Sequence, residues 1–147
     1  MKKIVSLLLI TILCFSLVAC GTSENTETEV ATQVATQSPQ EIAQNKLAEA
    51  YETCCENGVK DYAKLGYDKM SLTIDTNPND GYFRYTDDAT SAIVATNLFL
   101  ELPSSLIEKM SSTRALDGTQ TQDCGEYTVT WNYHPDNGLK VIYEVNP

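Results

Sequence analysis

The sequence predicts an α+β fold in which an amphipathic helix packs on a small, mainly antiparallel sheet. Apolar residues recur at helical spacing over residues 42–59 and again over residues 93–102, and they alternate with polar residues over residues 127–145. Helical spacing predicts a helix over each of the first two ranges, and alternation predicts strands over the third. We therefore expect an N-terminal helix, a strand, a helical insert and a C-terminal hairpin.

The first helix is expected to begin at Pro39, because proline suits the first turn of a helix. Its buried face is predicted by apolar residues at roughly helical spacing, which are Ile42, Leu47, Tyr51, Cys54 or Cys55, and Val59. Asn57-Gly58 is typical of a helix end or of a kink. The apolar spacing over residues 62–70 predicts that helical structure then resumes.

A short strand and two helices are expected to follow. Apolar and polar residues alternate over residues 71–76, which are predicted to form a strand that ends at the turn formers of residues 77–81. Asp87 and Asp88 offer N-caps for the apolar helix of the insert. Pro103 interrupts that helix, and we expect it in the first turn of a second, shorter one.

The C-terminal hairpin has the clearest pattern in the chain. Apolar and polar residues alternate over residues 127–133 and again over residues 139–145. The turn between them ends in Asn137-Gly138, a pair that takes the positive φ angles of tight hairpin turns. Residues 115–122 are expected to add a third antiparallel strand, with a turn at residues 123–125 joining it to the hairpin.

A leader peptide is predicted at the start of the chain. Lys2 and Lys3 precede an apolar run over residues 4–18, and small residues come before Cys20, which is the pattern of an export peptide. The residues Leu17-Val18-Ala19-Cys20 resemble the lipobox of bacterial lipoproteins, and the chain resembles small Gram-positive-type surface lipoproteins in this segment. The resemblance implies cleavage before Cys20 and a diacylglyceryl group on its thiol. The apolar run is shorter than the roughly 20 residues of a transmembrane helix.

The resemblance and the composition divide the chain into three parts. Residues 1–19 are expected to be the lipoprotein signal peptide. Residues 20–38 are expected to be the lipidated cysteine and a disordered stalk, because they are rich in Thr, Ser, Glu, Asn and Gln and contain no aromatic residue. Residues 39–147 are expected to form a single domain. The protein is thus predicted to lie on the extracytoplasmic face of a bacterial membrane, held there by the lipid.

The expected mature chain is strongly acidic. The whole sequence has a formal charge of −10, and loss of Lys2 and Lys3 with the leader changes it to −12. A surface of this sign repels phosphate backbones, so we expect no nucleic acid partner. The partners that we expect are the membrane, through the lipid on Cys20, and an envelope protein or a small ligand.

Three cysteines follow Cys20 in the chain. A disulfide between the neighbours Cys54 and Cys55 would strain the backbone, so the bridge that the sequence favours joins Cys124 to Cys54 or Cys55. Free thiols that pack as small hydrophobic groups are the alternative. No Cys-x-x-Cys pair indicates zinc, and nothing places His134, the single histidine, near a thiol as a catalytic base.

The loop after the first predicted strand contains the candidate site residues. Asp75, Asn77 and Asn79 alternate as oxygen ligands do in a calcium loop, although Pro78 interrupts the pattern and the glycine comes one place late. A turn built from the same residue types is the competing interpretation. We expect no cofactor, and calcium is the exception that this loop leaves open.

The same loop continues with candidate contact residues for a partner, which are Tyr82, Phe83, Arg84 and Tyr85. Aromatic residues beside arginine are common in recognition surfaces. The alternative is that alternate rings of this run face inward and cap the core.

These observations predict a lipid-anchored binding or interaction module of unknown ligand, with no catalytic activity expected. The sequence contains no Gly-x-Ser-x-Gly elbow, no Ser-x-x-Lys motif, no glycine-rich phosphate loop and no His-Glu-x-x-His pair. One alternative is a small cell-envelope enzyme whose site, drawn from Asp75, Asp87, Asp88 or His134, assembles only in the folded chain. The other alternative is a calcium-stabilised adhesion module.

Overall fold

The structure is a computed structural model that describes residues 37–55, 59–78 and 87–147. Its elements in chain order are α1 (Pro39–Cys54), a 3-10 turn (Val59–Asp61), β1 (Ala63–Leu65), β2 (Ser71–Asp75), α2 (Asp87–Phe99), α3 (Ser104–Ser112), a second 3-10 turn (Ala115–Asp117), β3 (Gln120–Asp123), β4 (Tyr127–His134) and β5 (Gly138–Val145). These helices accompany one antiparallel sheet, so the predicted α+β class is confirmed.

The strands within the described ranges form one sheet in the order β1-β2-β5-β4-β3, with every neighbouring pair antiparallel. The predicted C-terminal hairpin is present, because β4 and β5 pair along their whole length from Tyr127 and Val145 to His134 and Gly138. Gly138 has a φ of 79°, the positive value expected of the turn. Strands β1 and β3 are the two edges of the sheet.

One face of the sheet forms the hydrophobic core together with the helices. Alternate side chains of the inner strands are buried there, and the set includes Leu72 and Ile74 on β2, Tyr127, Val129 and Trp131 on β4, and Val141, Tyr143 and Val145 on β5. Leu47 of α1, Ile93 of α2 and Leu106 of α3 pack in the same core. The two-residue period of the sequence therefore marks the buried face of the strands.

Helix α1 begins at Pro39, as predicted. Ser38 caps it, because the Ser38 Oγ accepts from the Glu41 backbone N–H at 3.2 Å and Glu41 Oε2 accepts from the Ser38 N–H at 2.9 Å. The buried face agrees with the prediction at Leu47 and differs at Ile42, which is 49 % exposed, whereas Ala43 and Ala50 are buried. Alanine is small, so the helix can approach its neighbours closely. Because alanine is only modestly hydrophobic, the apolar spacing of the sequence does not mark this face.

The prediction that helical structure resumes over residues 62–70 is wrong. Ala63–Leu65 is the edge strand β1, which pairs with β2. The hairpin closes where the Gly66 N–H donates to the Ser71 carbonyl at 2.7 Å, and Lys69 takes a φ of 59° in the turn. A Cβ on Gly66 would lie 2.8 Å from the Ser71 Oγ, so the Ser71 side chain would have to shift to admit one. Pairing with β2 overrides the helical spacing.

The insert and the third strand agree with the prediction in outline. Helix α2 begins at Asp87, and α3 begins at Ser104 with Pro103 as its N-cap instead of in its first turn. The third predicted strand is shorter than expected, because Ala115–Asp117 is a 3-10 turn and β3 starts only at Gln120.

The predicted leader, Cys20 and most of the predicted stalk lie outside the described residues, which begin at residue 37. Ser38, which composition assigns to the stalk, caps α1. Within the described ranges, no helix is both long and apolar enough to cross a bilayer.

Candidate functional site

A polar cleft lies where α3 ends beside the edge strand β3. It has a volume of about 340 Å³, and the described residues that line it are Lys109, Ser112, Thr113, Asp117, Gln120, Thr121, Gln122 and Trp131. The alternation along β3 places Gln120 and Gln122 opposite Trp131 and Val129, on the helix-covered face of the sheet. The cleft therefore lies between the helical layer and the sheet, at the rim of the core.

A chain of hydrogen bonds fixes the wall of the cleft that α3 provides. The Trp131 Nε1–H donates to the Thr113 Oγ1 at 2.8 Å, and the Thr113 hydroxyl donates to the Lys109 carbonyl at 2.7 Å. Trp131 is only 4 % exposed, so its indole ring offers no free face for stacking. Its role is to tie β4 to the last turn of α3, which carries Lys109.

In the described part of the chain, the cleft contains two charged side chains, Lys109 and Asp117, and only Asp117 has a partner of opposite charge. The Lys109 Nζ donates to the Gln122 Oε1 at 2.7 Å, and none of the ion pairs among the described residues includes Lys109. The Asp117 Oδ2, in contrast, accepts from the Arg114 backbone N–H at 2.7 Å and lies 3.8 Å from the Arg114 Nε. The cleft thus offers one cation without a carboxylate partner, on a chain that is acidic overall.

The outer edge of β3 borders this cleft. The Cys124 N–H donates to the Tyr127 carbonyl at 2.8 Å, which makes the two residues a hydrogen-bonded pair of the β3–β4 hairpin. Because hydrogen bonding alternates along an antiparallel pair, the backbone N–H and C=O groups of Thr121 and Asp123 point away from β4. Among the described residues, no partner satisfies these outward backbone groups. They form a short row of unpaired donors and acceptors.

The described thiols are free and lie at two places in the fold. Cys54 and Cys55 end α1, whereas Cys124 follows β3. The expected bridge from Cys124 to Cys54 or Cys55 is not formed in this structure and stays a prediction. Burial raises the pKa of Cys54 and of Cys124, and it raises the pKa of Cys55 to about 11. These thiols are therefore mostly protonated near neutral pH, which makes them weak nucleophiles.

A buried polar network lies next to Cys54 and Cys55. The Asn97 Nδ2 donates to the Ile93 carbonyl at 2.7 Å and to the Tyr143 hydroxyl at 2.9 Å, and burial raises the pKa of Tyr143. Within the described part of the chain, the Asn97 Oδ1 is buried without a partner. The Thr96 Oγ1 is likewise buried without a hydrogen-bond partner among the described residues, and its proximity to Cys54 offsets part of the rise of that thiol's pKa. This network joins α1, α2 and β5 inside the core.

The predicted calcium ligands are engaged by the fold where they are described. The Asp75 Oδ1 accepts from the Asn77 N–H at 3.0 Å, and the Asp75 Oδ2 lies 3.5 Å from the Lys140 Nζ. The Asn77 Nδ2 donates to the Asp136 carbonyl at 3.0 Å, and Asn79 lies outside the described residues. No cluster of three or more His, Cys, Asp or Glu side chains suited to a metal occurs in the described ranges. The contacts are those of the turn interpretation, and calcium binding stays a prediction.

The acids and the histidine of the enzyme alternative lie on several elements. Asp87 and Asp88 are exposed in the first turn of α2. His134 is exposed at the end of β4, where its Nδ1 accepts from the Asp136 N–H at 3.1 Å. Asp75 lies at the end of β2 nearest to that turn, so the structure brings Asp75 and Asp136 to one end of the sheet. Among the described contacts, none joins His134 to Asp87 or Asp88.

The remaining candidates fall outside the described residues. These are the lipid attachment residue Cys20 and the candidate contact residues Tyr82, Phe83, Arg84 and Tyr85. Comparison with protein-family models, with curated protein sequences and with solved structures gives no significant match.

The residues of the cleft were not singled out from the sequence. A signal is nevertheless present in Thr119-Gln120-Thr121-Gln122, because polar residues at every position of a strand indicate that neither face is deeply buried. That pattern is typical of an edge strand. Lys109 and Thr113 carry no such signal, since only packing brings the end of α3 to β3.

Proposed function

We propose that this protein is a lipid-anchored binding module of the bacterial cell envelope, tethered through Cys20 on the extracytoplasmic face. The anchor is supported by the lipobox-like residues Leu17-Val18-Ala19-Cys20. The observation that carries the binding function is the polar cleft beside the unpaired backbone edge of β3. Amide, hydroxyl and ammonium groups line that cleft, and such groups hold a polar ligand by hydrogen bonds.

The state of the thiols supports binding over covalent catalysis. A cysteine nucleophile needs a lowered pKa or a base within hydrogen-bond reach. Burial raises the pKa of Cys54, Cys55 and Cys124 instead. His134 bonds to Asp136 in the hairpin turn. These groups therefore favour a structural role over a reactive one.

A tether increases the usefulness of a small binding site. Two acyl chains on Cys20 would hold the domain stably at the membrane surface. Binding to a membrane-associated partner would then be governed by an effective concentration set by the stalk, which reaches about millimolar for short flexible linkers. At such an effective concentration, a cleft with weak intrinsic affinity would still be occupied by its partner.

Lipid labelling tests the anchor. Growth of cells with a palmitate analogue should label the wild-type chain and leave Cys20→Ser unlabelled. Cys14→Ser is the matched control, since Cys14 lies in the predicted leader and its loss should leave the label intact. A Cys20→Ser chain that is still labelled would contradict the anchor.

Site-specific photo-crosslinking in the native cell tests the binding function. A crosslinking amino acid at position 120 faces the cleft, and the same amino acid at the exposed position 144 on β5 is the control. The proposal predicts one defined adduct from position 120 that is lost in the Cys20→Ser background. The same adducts from both positions, or none from either, would contradict it.

A further inference from the structure

We propose that the outer edge of β3 and the cleft beside it bind an extended peptide segment with an acidic side chain, which adds to the sheet as a sixth strand. This inference rests on the proposed binding function and names its site and its ligand class.

The backbone of β3 supplies the first part of the argument. Thr121 and Asp123 turn their N–H and C=O groups outward, and no described residue satisfies them. An extended peptide offers the complementary donors and acceptors at the same spacing, so main-chain hydrogen bonds would provide affinity. Neither outward residue is needed for pairing with β4, so the edge is available without a change in the sheet.

The position of the cleft supplies the second part. Side chains of an added strand alternate between the two faces of the sheet, as those of β3 do. The side chains on the helix-covered face would follow the direction of Gln120 and Gln122 and lie over the cleft. Backbone pairing would thus give affinity, and the cleft would select the side chain.

The charges of the cleft select an acidic side chain. The Lys109 ammonium group bonds only to the neutral amide of Gln122 among the described partners, whereas the Asp117 carboxylate is already compensated by Arg114. A carboxylate from the ligand would give Lys109 the ion pair that the fold does not supply. Because the chain has a net negative charge, we expect a segment with one acidic residue and not a polyacidic one.

A second copy of this chain suits the edge less well. Pairing β3 with itself would bring together the edges of two acidic molecules, each of which carries the Asp123 carboxylate, and their mutual repulsion disfavours self-pairing. A charge on a strand edge is a common device against such self-association.

Selection from a displayed library of random, linear nine-residue peptides tests the proposal with the full chain in detergent. Enriched peptides should bind Thr121→Pro at least about tenfold more weakly than the wild type, since proline removes the outward N–H, whereas Thr121→Val keeps that N–H and should lose clearly less. Both variants change the same exposed side chain. Proline is tolerated at an outward edge position, and a thermal melt checks that each variant is folded.

A second measurement needs no protein variant. Methylation of single backbone nitrogens in an enriched peptide should abolish binding at every second residue and spare the residues between, because only alternate amides face β3. Sensitivity without a two-residue period would overturn strand addition.

The acidic selectivity is tested at Lys109. Lys109→Gln should weaken an enriched acidic peptide about two- to fivefold, which is the range of an exposed ion pair. Lys64→Gln on the opposite edge strand is the control and should have no effect. Enriched peptides without an acidic residue would overturn the assigned ligand class.

The outcomes distinguish this inference from the proposed function. Failure to enrich any peptide, or binding that is insensitive to Thr121→Pro, would overturn the inference. The crosslinked partner from position 120 would still support the binding module. A dimer of the full chain that Thr121→Pro dissociates would assign the edge to a second copy and also overturn the peptide proposal.

Discussion

Two polar regions of this molecule have similar compositions, but the polar groups of one are hydrogen-bonded within the fold and the other has unpaired backbone groups. The turn segment, residues 75–77, is Asp-Thr-Asn, and the edge strand β3 is Gln-Thr-Gln-Asp, so each contains only acidic, amide and hydroxyl side chains. In the turn segment the fold uses the described polar groups, whereas at β3 the backbone of Thr121 and Asp123 is left unpaired. Polar composition therefore does not distinguish residues that build a turn from residues that are free for a ligand.

Thr76 shows how completely the turn segment is used. It is 1 % exposed, its N–H donates to the Leu139 carbonyl at 2.9 Å, and its Oγ1 accepts from the Leu139 N–H at 2.9 Å. Thr121, in contrast, is exposed and shares only a 3.2 Å hydroxyl contact with Thr130. The same substitution at the two threonines should thus have very different consequences.

The largest expected effect is that of Thr76→Val. It leaves the Leu139 N–H without its acceptor, which should lower the free energy of unfolding by about 1–3 kcal/mol. Thr121→Val should change it by less than about 0.5 kcal/mol, as is usual for exposed positions. Urea denaturation of both variants measures the difference. Equal losses would remove the contrast between the two regions.

A second stability difference is expected at alkaline pH, where the buried Cys55 thiol and the partly exposed Cys124 thiol can be compared. The pKa of Cys55 is raised to about 11 from an ordinary value of 9.0, so between these values the folded chain keeps a proton that the unfolded chain has lost. The free energy of unfolding should therefore fall as the pH rises from 9 to 11. Denaturation at a series of pH values should show a shallower fall for Cys55→Ala. Cys124→Ala is the control and should retain most of the slope.

A smaller effect is expected for the ion pair of the turn segment. Asp75→Asn keeps an oxygen that accepts from the Asn77 N–H and removes the pairing with Lys140, which is partly exposed. The coupling energy from a double-mutant cycle with Lys140→Gln should be below about 1 kcal/mol. A coupling of several kcal/mol would mean that this pair has a role beyond local support.

Calcium should have the smallest effect. Both Asp75 oxygens already have partners in the fold, so millimolar calcium should leave the Tm of the full chain unchanged. Magnesium at the same concentration controls for ionic strength. A rise in Tm that is specific to calcium would favour the calcium-stabilised adhesion module over the turn interpretation.

The regions predicted well from sequence are those with local determinants. The β4–β5 hairpin follows from alternation and from the turn that ends in Gly138. Strand β1 was missed because its three residues owe their conformation to pairing with β2. The face of α1 was partly wrong because buried Ala43 and Ala50 are less hydrophobic than the exposed Ile42.

The candidate site was less accessible to prediction for a related reason. It combines the last turn of α3, a 3-10 turn and an edge strand, which meet only through tertiary packing. The sequence indicated that residues 115–122 contain a strand, but not that this strand is an edge. Edge position depends on the order of all strands, and that order is a property of the whole sheet.

Amide hydrogen exchange of the isotopically labelled full chain tests strand addition at β3 most directly. In the free protein, the amides of Thr121 and Asp123 should exchange quickly, whereas that of Cys124 should be protected by its bond to the Tyr127 carbonyl. A saturating enriched peptide should slow the exchange of Thr121 and Asp123. Unchanged exchange at both residues, with a bound peptide, would contradict the assignment of the binding site to this edge.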